Sequence, residues 1–273
     1  MAINDITLTA GMRSNLLSLQ KTAELFDRTQ IRLSTGKKVN SALDDPVNYF
    51  AAKGHMNRAS DLAALKDMMN EAIQTVKAAD AGLSAIESLI YQAKSLAQSA
   101  LQSNDATTRS NLAAQYNEIR TQIDNVAADS GYRGTNLIDG GADNLVVVFN
   151  EDGTSTLTIN HQEATSAGLG INAPGNDWAS DTDIQTSIGE LDDAIVTLRQ
   201  YSQTLSSNLS VVQTRLDFTN NMINTLTKGA ENLTLADMNE EGANMLMLQT
   251  RQALGVTALS LASQAAQSVL RLF

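Results

Sequence analysis

The chain has no cysteine in 273 residues. That excludes disulfides, thiolate metal sites and cysteine nucleophiles, and it fits a reducing compartment or an extracellular protein that does without disulfides. Proline occurs only at Pro46 and Pro174, so long stretches carry no helix breaker. Aromatic residues make up 4% of the chain, with one tryptophan, which suits long helices better than an aromatic-rich enzyme core. The two histidines, His55 and His161, lie far apart, and there is no HExxH, P-loop or GxGxxG spacing. Asp192–Asp193 and Glu240–Glu241 are adjacent carboxylates, which point apart on a helix and read as solvated faces. The sequons at Asn208 and Asn232 fall in or beside expected helices. The residues therefore predict no enzyme activity, no cofactor and no metal site.

Charge is spread unevenly. The net −11 divides into +3 over residues 1–40, +2 over 242–273 and −16 over 41–241. An acidic body discourages nucleic acid and anionic membranes, both of which need cationic patches. The near-neutral ends are the parts expected to be buried. Residues 1–20 carry no basic start followed by an apolar run, so no cleaved signal peptide is expected, which leaves a cytoplasmic protein or one with a dedicated exporter.

Both ends are built to be covered. Residues 242–273 hold no acidic residue and carry two apolar stripes at helical spacing. One runs Leu254, Ala258, Leu261, Ala265, Leu272. The other runs Met245, Leu248, Leu259, Ala262, Ala266, Val269, Phe273. A helix apolar over most of its circumference must be buried on nearly all sides. Gln252, Thr257, Ser260, Ser263, Gln264, Gln267 and Ser268 interrupt it, so it is no membrane span and no membrane insertion is expected. At the other end Met12, Leu16, Leu19, Ala23, Phe26, Gln30 and Leu33 keep a 4,3 alternation, the mark of a helix seam. A second line, Ile3, Ala10, Leu17, repeats every seven. Two such helices can pair with each other and then with further copies. The expected assembly interface is Met12, Leu16, Leu19, Phe26, Leu33, Leu248, Leu254, Leu259, Leu261, Val269, Leu272 and Phe273.

Between the ends, residues 34–45 read as a linker, with Asp44, Asp45 and Pro46 placed to start a helix. Leu62, Leu65, Met69, Ala72, Val76, Ala79, Leu83, Ile86, Ile90, Ala93, Ala97 and Ala100 are consecutive 3,4-spaced apolar positions. They predict a helix over about residues 47–102, ~80 Å long at ~1.5 Å per residue. After a break at 103–108 comes a shorter helix with Leu112, Tyr116, Ile119, Ile123 and Val126 on one face. The period then switches to two at 145–149 and 156–159, around an Asp152–Gly153 hairpin turn. Residues 165–179 read as loop. Ser180 and Asp181 cap a second helix, ~70 Å long, striped from Ile184 to Leu226, and 229–239 reads as a break before the terminal helix.

The expected fold is mainly α: an elongated antiparallel helical bundle or coiled coil with both termini at one end, plus a small β-hairpin region in the middle. Its expected parts are a terminal coiled-coil domain (1–40 with 240–273), a long-helix rod (41–140 with 180–239) and a surface hairpin and loop (141–179).

Several motifs carry a family resemblance. Gln30-Ile-Arg-Leu-Ser-Thr-Gly-Lys and Asn40-Ser-Ala-Leu-Asp-Asp-Pro stand near the start. Tyr132-Arg-Gly-Thr-Asn-Leu-Ile closes the first helical half. Leu235-Ala-Asp-Met-Asn-Glu-Glu, Gln249-Thr-Arg-Gln-Ala-Leu-Gly and Ser263-Gln-Ala-Ala-Gln-Ser-Val-Leu mark the end. Together they resemble bacterial flagellin over residues 1–140 and 180–273, in a short form without large outer domains. The resemblance implies a subunit of the extracellular flagellar filament, a helical homopolymer for motility. It implies export in unfolded form by the flagellar export apparatus and its chaperone, without a cleaved signal peptide. Hook-associated and cap proteins are the implied partners. The terminal helices would line the channel and 141–179 would face solvent. Before assembly the ends are expected to be largely unfolded, lacking a surface to bury against. Alternatives are a hook–filament junction protein, or a surface adhesin on a flagellin-like scaffold that uses 141–179. The family's surface for the vertebrate flagellin receptor includes an arginine and a glutamate. Gln92 and Gln115 stand at those positions, near Lys94 and Leu96, so weak recognition is expected.

Overall fold

The structure of the protein is a computed structural model that describes residues 10–270. Among these residues the elements are α1 (Ala10–Thr35), α2 (Pro46–Gln102), α3 (Ala106–Asp129), β1 (Leu145–Val148), β2 (Thr156–Ile159), α4 (Asp181–Thr234) and α5 (Met238–Leu270), with a short 3-10 turn at Gly175–Trp178. The chain divides into two units, Met1–Asn57 with Thr225–Phe273, and Arg58–Asn224. The mainly-α fold with one small antiparallel sheet is as the periodicity predicts.

The core of the unit spanning residues 58–224 is the α2 stripe. All twelve positions from Leu62 to Ala100 are buried, and Met69, Ala79, Ile86, Ile90, Ala97 and Ala100 are closed off completely. The α4 stripe answers it, with Ile184, Leu191, Ile195, Leu198, Leu205 and Val212 buried. The two helices run antiparallel, because polar partners along their flank step in opposite directions. Asp80 accepts from the Ser202 hydroxyl (2.9 Å), Arg199 donates to the Tyr91 hydroxyl (3.0 Å), and Lys94 pairs with Asp192. A polar flank along an apolar seam fixes register at little energetic gain, since exposed pairs contribute only a few tenths to ~1 kcal/mol.

α3 begins where Asp105 caps it, its carboxylate accepting from the Thr108 amide at 2.8 Å and the Thr108 hydroxyl at 2.6 Å. Tyr116 and Ile123 face inward as expected, but Ala113 and Ala127 lie deeper than Leu112 and Val126. The small side chains let the helix backbone approach closely. At its far end Asn136 donates to the carbonyls of Ala127 (2.7 Å) and Ala128 (3.0 Å), groups a helix terminus leaves open. Tyr132 and Thr135 exchange backbone hydrogen bonds across Arg133 (φ 50°) and Gly134 (φ 85°), the tight hairpin turn that delivers Asn136.

The hairpin pairs Leu145 with Ile159 through Val148 with Thr156, and Gly153 supplies the left-handed turn residue at φ 67°. Residues 165–179, read as loop and expected to face solvent, turn one side into the core, with Leu169, Ile171 and Trp178 buried while Gly168, Asn172 and Asp177 stay exposed. The segment runs back along α3. Asp124 accepts from the Ser166 amide (2.7 Å) and hydroxyl, Arg120 Nε donates to the Ile171 carbonyl (3.0 Å), and Trp178 packs on Tyr116 with ring centroids 5.0 Å apart. Trp178 Nε1 donates to Ser187 Oγ at 3.0 Å. Asn176, Asp177 and Trp178 all have positive φ, an arrangement costing about 1–3 kcal/mol per residue that the buried indole offsets. Apolar spacing cannot reveal such a segment, because its burial is irregular.

A second correction concerns 229–239. α4 runs through Gly229 to Thr234, and only Leu235–Asp237 separates it from α5. Burial of Leu226 and Ala230 on consecutive turns outweighs the ~1 kcal/mol glycine penalty.

The Asp105 cap gives a pH test. The Thr108 hydroxyl, then the Thr108 amide, holds its carboxyl below the ordinary 3.8. The unfolded chain therefore takes up the proton first, so this stabilisation is present above pH 3.8 and is lost as pH falls through the lower folded value. In urea melts followed by circular dichroism, Asp105→Asn is expected to lose midpoint less steeply than wild type as pH falls below about 4. Parallel acid profiles would refute the assignment.

Candidate assembly surface

α1 and α5 lie antiparallel within the unit formed by both chain ends. Arg32 Nη1 meets Glu241 Oε1 at 3.0 Å near one end, and Leu19 sits over Gly255 further along. Glu241 is buried, so this member of the Glu240–Glu241 pair is no solvated face: its charge is matched by Arg32. A buried carboxylate needs such a partner, and removing either one would strand the other.

The linkers hold the two helices in register. α1 ends at Gly36, whose φ of 69° lets its amide bond back to the Arg32 carbonyl at 2.8 Å. Lys38 N donates to the Thr234 carbonyl (2.7 Å) and Ala236 N to the Gly36 carbonyl (3.0 Å), tying the α1–α2 linker to the α4–α5 linker. Asp44 accepts from the amides of Asn40 (3.0 Å) and Ser41 (2.9 Å). Asp45 accepts from the Asn48 amide (3.0 Å) and caps α2, whose first residue is Pro46. Those backbone donors hold both carboxyls below their ordinary range. The Asn40-to-Pro46 motif is thus a capping device.

The seam on α1 is Met12, Asn15, Leu19, Thr22, Phe26, Thr29 and Leu33, all buried or half-buried. It shares Met12, Leu19, Phe26 and Leu33 with the predicted interface. Leu16, Ala23 and Gln30 are exposed, and Asn15, Thr22 and Thr29 stand in their place. Polar residues at seam positions leave no trace in an apolar count. On α5 the stripe through Met245, Leu248, Leu259 and Ala262 turns toward α1. The other stripe does not: Leu254 is 65% and Leu261 61% exposed, with Ala258 and Ala265 exposed between and beyond them.

The predicted interface residues therefore separate. Met12, Leu19, Phe26, Leu33, Leu248 and Leu259 meet within the chain. Leu16, Leu254 and Leu261 remain bare. The side chain of Val269, and Leu272 and Phe273, lie outside the described residues, as does Ile3. Met247, Leu254 and Leu261 repeat at seven-residue intervals along the bare face of α5, and Leu17 and Ile31 stand two such intervals apart on α1. That is the spacing of a coiled-coil seam awaiting a helix. Each leucine would contribute about 1.5–3 kcal/mol on burial.

Gly255 is the contact that the sequence reading missed. A Cβ there would lie 2.6 Å from Leu19 Cδ2 and 3.0 Å from Leu19 Cγ, so the glycine is the hole into which Leu19 fits. Elsewhere, Gln92, Leu96, Gln115 and Ile119 line one shallow groove where α2 meets α3. Among the described residues there is no cluster of three or more His, Asp or Glu able to hold a metal, and no helix long and apolar enough to cross a membrane.

The chain is similar to known proteins. The profile of the bacterial flagellin N-terminal helical region matches residues 3–143, and that of the C-terminal helical region matches residues 188–273. The chain is 31% identical to flagellin FljM of Caulobacter vibrioides over 274 residues, covering 100% of both. It is 26% identical to a flagellin of Brucella melitensis over 280 residues, covering 99% of this chain and 97% of that one. The crystal structure of Bacillus cereus flagellin aligns at TM-score 0.49 with 21% identity, over 56% of this chain and 88% of that one.

Gly255→Leu would force Leu19 from its seat, an overpacking cost of about 1–3 kcal/mol. Assemblies of that variant are expected to melt at a lower temperature by calorimetry, with a smaller shift for Gly255→Ala. Unchanged melting of both would show that the close approach is not needed.

Proposed function

The chain belongs to the bacterial flagellin family, whose members are structural subunits of the flagellar filament, and from that premise we propose how this subunit assembles. The observation that carries the reading is the division of α5 into one stripe covered by α1 and one, through Leu254 and Leu261, left bare. The bare stripe is the homopolymer contact, closed by α1 and α5 of neighbouring copies. In this reading the terminal domain, 1–40 with 240–273, lines the filament channel. Residues 41–140 with 180–239 form the rod around it, and 141–179 belongs to the outer surface. The acidic body, −16 over residues 41–241, is then the solvated part of the filament.

The subunit reaches the filament through the flagellar export apparatus with its chaperone, and meets hook-associated and cap proteins there. The bare α5 stripe supports a need for escort, because such a surface aggregates unless it is covered or kept unfolded. The filament role is structural, with no catalytic step.

Seeded polymerisation tests the reading. The intact chain is expected to extend seeds into long uniform filaments under negative-stain microscopy, and a copy lacking residues 1–40 and 242–273 is expected to stay monomeric. Leu261→Asp would place an unpaired charge in the contact at a cost of several kcal/mol and should stop elongation while monomer helicity stays close to wild type. Normal filaments from either altered chain would sink the proposal.

The groove at Gln92 and Gln115 bears on recognition by the vertebrate receptor. Neutral amides replace a charged pair there, so signalling potency is expected to fall at least about tenfold below a strong agonist, equivalent to ~1.4 kcal/mol of binding. Equal potency of the monomer in a reporter assay would overturn this.

A further inference from the structure

The start of α2 carries an apolar ridge that no described residue covers. Leu43 is 96%, Val47 76% and Phe50 61% exposed, and Pro46 is exposed between them. Val47 and Phe50 share one side of the helix, Gly54 prolongs that side with open space where a side chain would stand, and Leu43 stands in the turn just before it. Scattered exposed apolar residues mean little, but a contiguous row on a capped, well-ordered helix start marks a contact surface.

The same unit offers a groove of matching character. Its floor is Val39, Ala52 and Ala230, all buried, and its walls are Tyr49, Met56 and Leu235. Its volume is about 460 Å³, room for several side chains. At ~100° per residue, the groove positions on α2, 49, 52, 53 and 56, centre roughly 140° around the helix from the centre of ridge positions 47 and 50. One chain therefore cannot place its own ridge in its own groove.

Charge runs the same way. Lys37, Lys53 and Glu231 line the groove, and neither lysine forms an ion pair with any described residue, so its net charge is positive. The ridge is flanked by Asp44 and Asp45, whose carboxylates backbone amides hold in place. A ridge flanked by two carboxylates fits an apolar groove whose lining carries two lysines against one carboxylate.

We propose that the Leu43–Val47–Phe50 ridge of one subunit docks in the Val39–Met56–Leu235 groove of the next copy. This rests on the filament reading and gives that reading a second, separate contact. A ridge and a groove on different faces make a heterologous interface, which propagates without closing, as a filament requires.

The absence of cysteine makes the test clean. A Val47→Cys/Met56→Cys chain is grown on seeds and oxidised. The two positions are nine residues apart on one helix, ~13.5 Å along its axis, beyond the ~7 Å reach of a disulfide within one chain. The expected result is a ladder of disulfide-linked multimers on a non-reducing gel. Each single variant alone should stay largely uncrosslinked, and the two singles diluted together into wild-type filaments should give dimers. Phe50→Ser is expected to slow seeded elongation about tenfold or more. Filaments that form normally yet give no cross-link in either format would overturn the docking while leaving the filament reading intact. Wild-type chain that never extends seeds would overturn the filament reading itself.

Discussion

A helix can turn only one side toward a given partner, and α5 is apolar on two. α1 covers the side containing Leu248 and Leu259, and among the described residues none covers Leu254 and Leu261. In the proposed assembly the remaining cover comes from neighbouring copies. This constraint separates α5 from α2 and α4, whose stripes are satisfied internally along the unit spanning residues 58–224. The same helical periodicity yields a finished core in one part of the molecule and an unfinished one in another. The difference lies in how many apolar faces each helix carries.

The linkers convert that difference into geometry. Gly36, Asp44, Asp45 and Pro46 are chosen for what they do to backbone donors and acceptors, and contribute little burial. Their hydrogen bonds stop α1 and start α2, and the amides of Lys38 and Val39 between them tie the linker to the carbonyl of Thr234. A seam of long helices has no intrinsic register beyond its side-chain alternation, so small errors at a linker would slide Leu19 off Gly255. The Arg32–Glu241 pair acts at the same end of the seam. A charge pair with low exposure is a costly way to gain stability but an effective way to penalise misalignment, because a slipped seam leaves both charges buried alone.

Much of the architecture was legible in the sequence because long helices announce themselves through repetition. Twelve apolar positions in a row at 3,4 spacing have few alternative explanations, and all twelve are buried. The hairpin was legible for a similar reason, since an Asp-Gly pair between two alternating runs specifies a turn. Trp178 and the segment around it were not. Its burial depends on three residues at positive φ and on hydrogen bonds to Asp124 and Arg120, none of which has a period. The α1 seam was read partly out of phase for a related cause. Thr22 and Thr29 occupy buried positions that an apolar count assigns to Ala23 and Gln30. Thr22 can be buried there because its hydroxyl bonds to the Ser18 carbonyl at 2.8 Å, leaving only its methyl to pack. Gly255 escaped notice because a hole has no hydrophobicity.

Charge and packing then set opposite requirements that assembly reconciles. The body carries −16 over residues 41–241, so copies repel one another at long range, on the scale of the ~8 Å Debye length at physiological salt. The ends carry a small positive charge and bare leucines, which attract only on contact. Association is therefore disfavoured until apolar faces meet in register, and adding salt weakens the repulsion without weakening the apolar contact. A misregistered neighbour brings the acidic surfaces together with little burial in return. Specificity in such a system need not come from any single strong interaction. In the proposed assembly it arises because Leu254 and Leu261 must be buried while the acidic body stays in water.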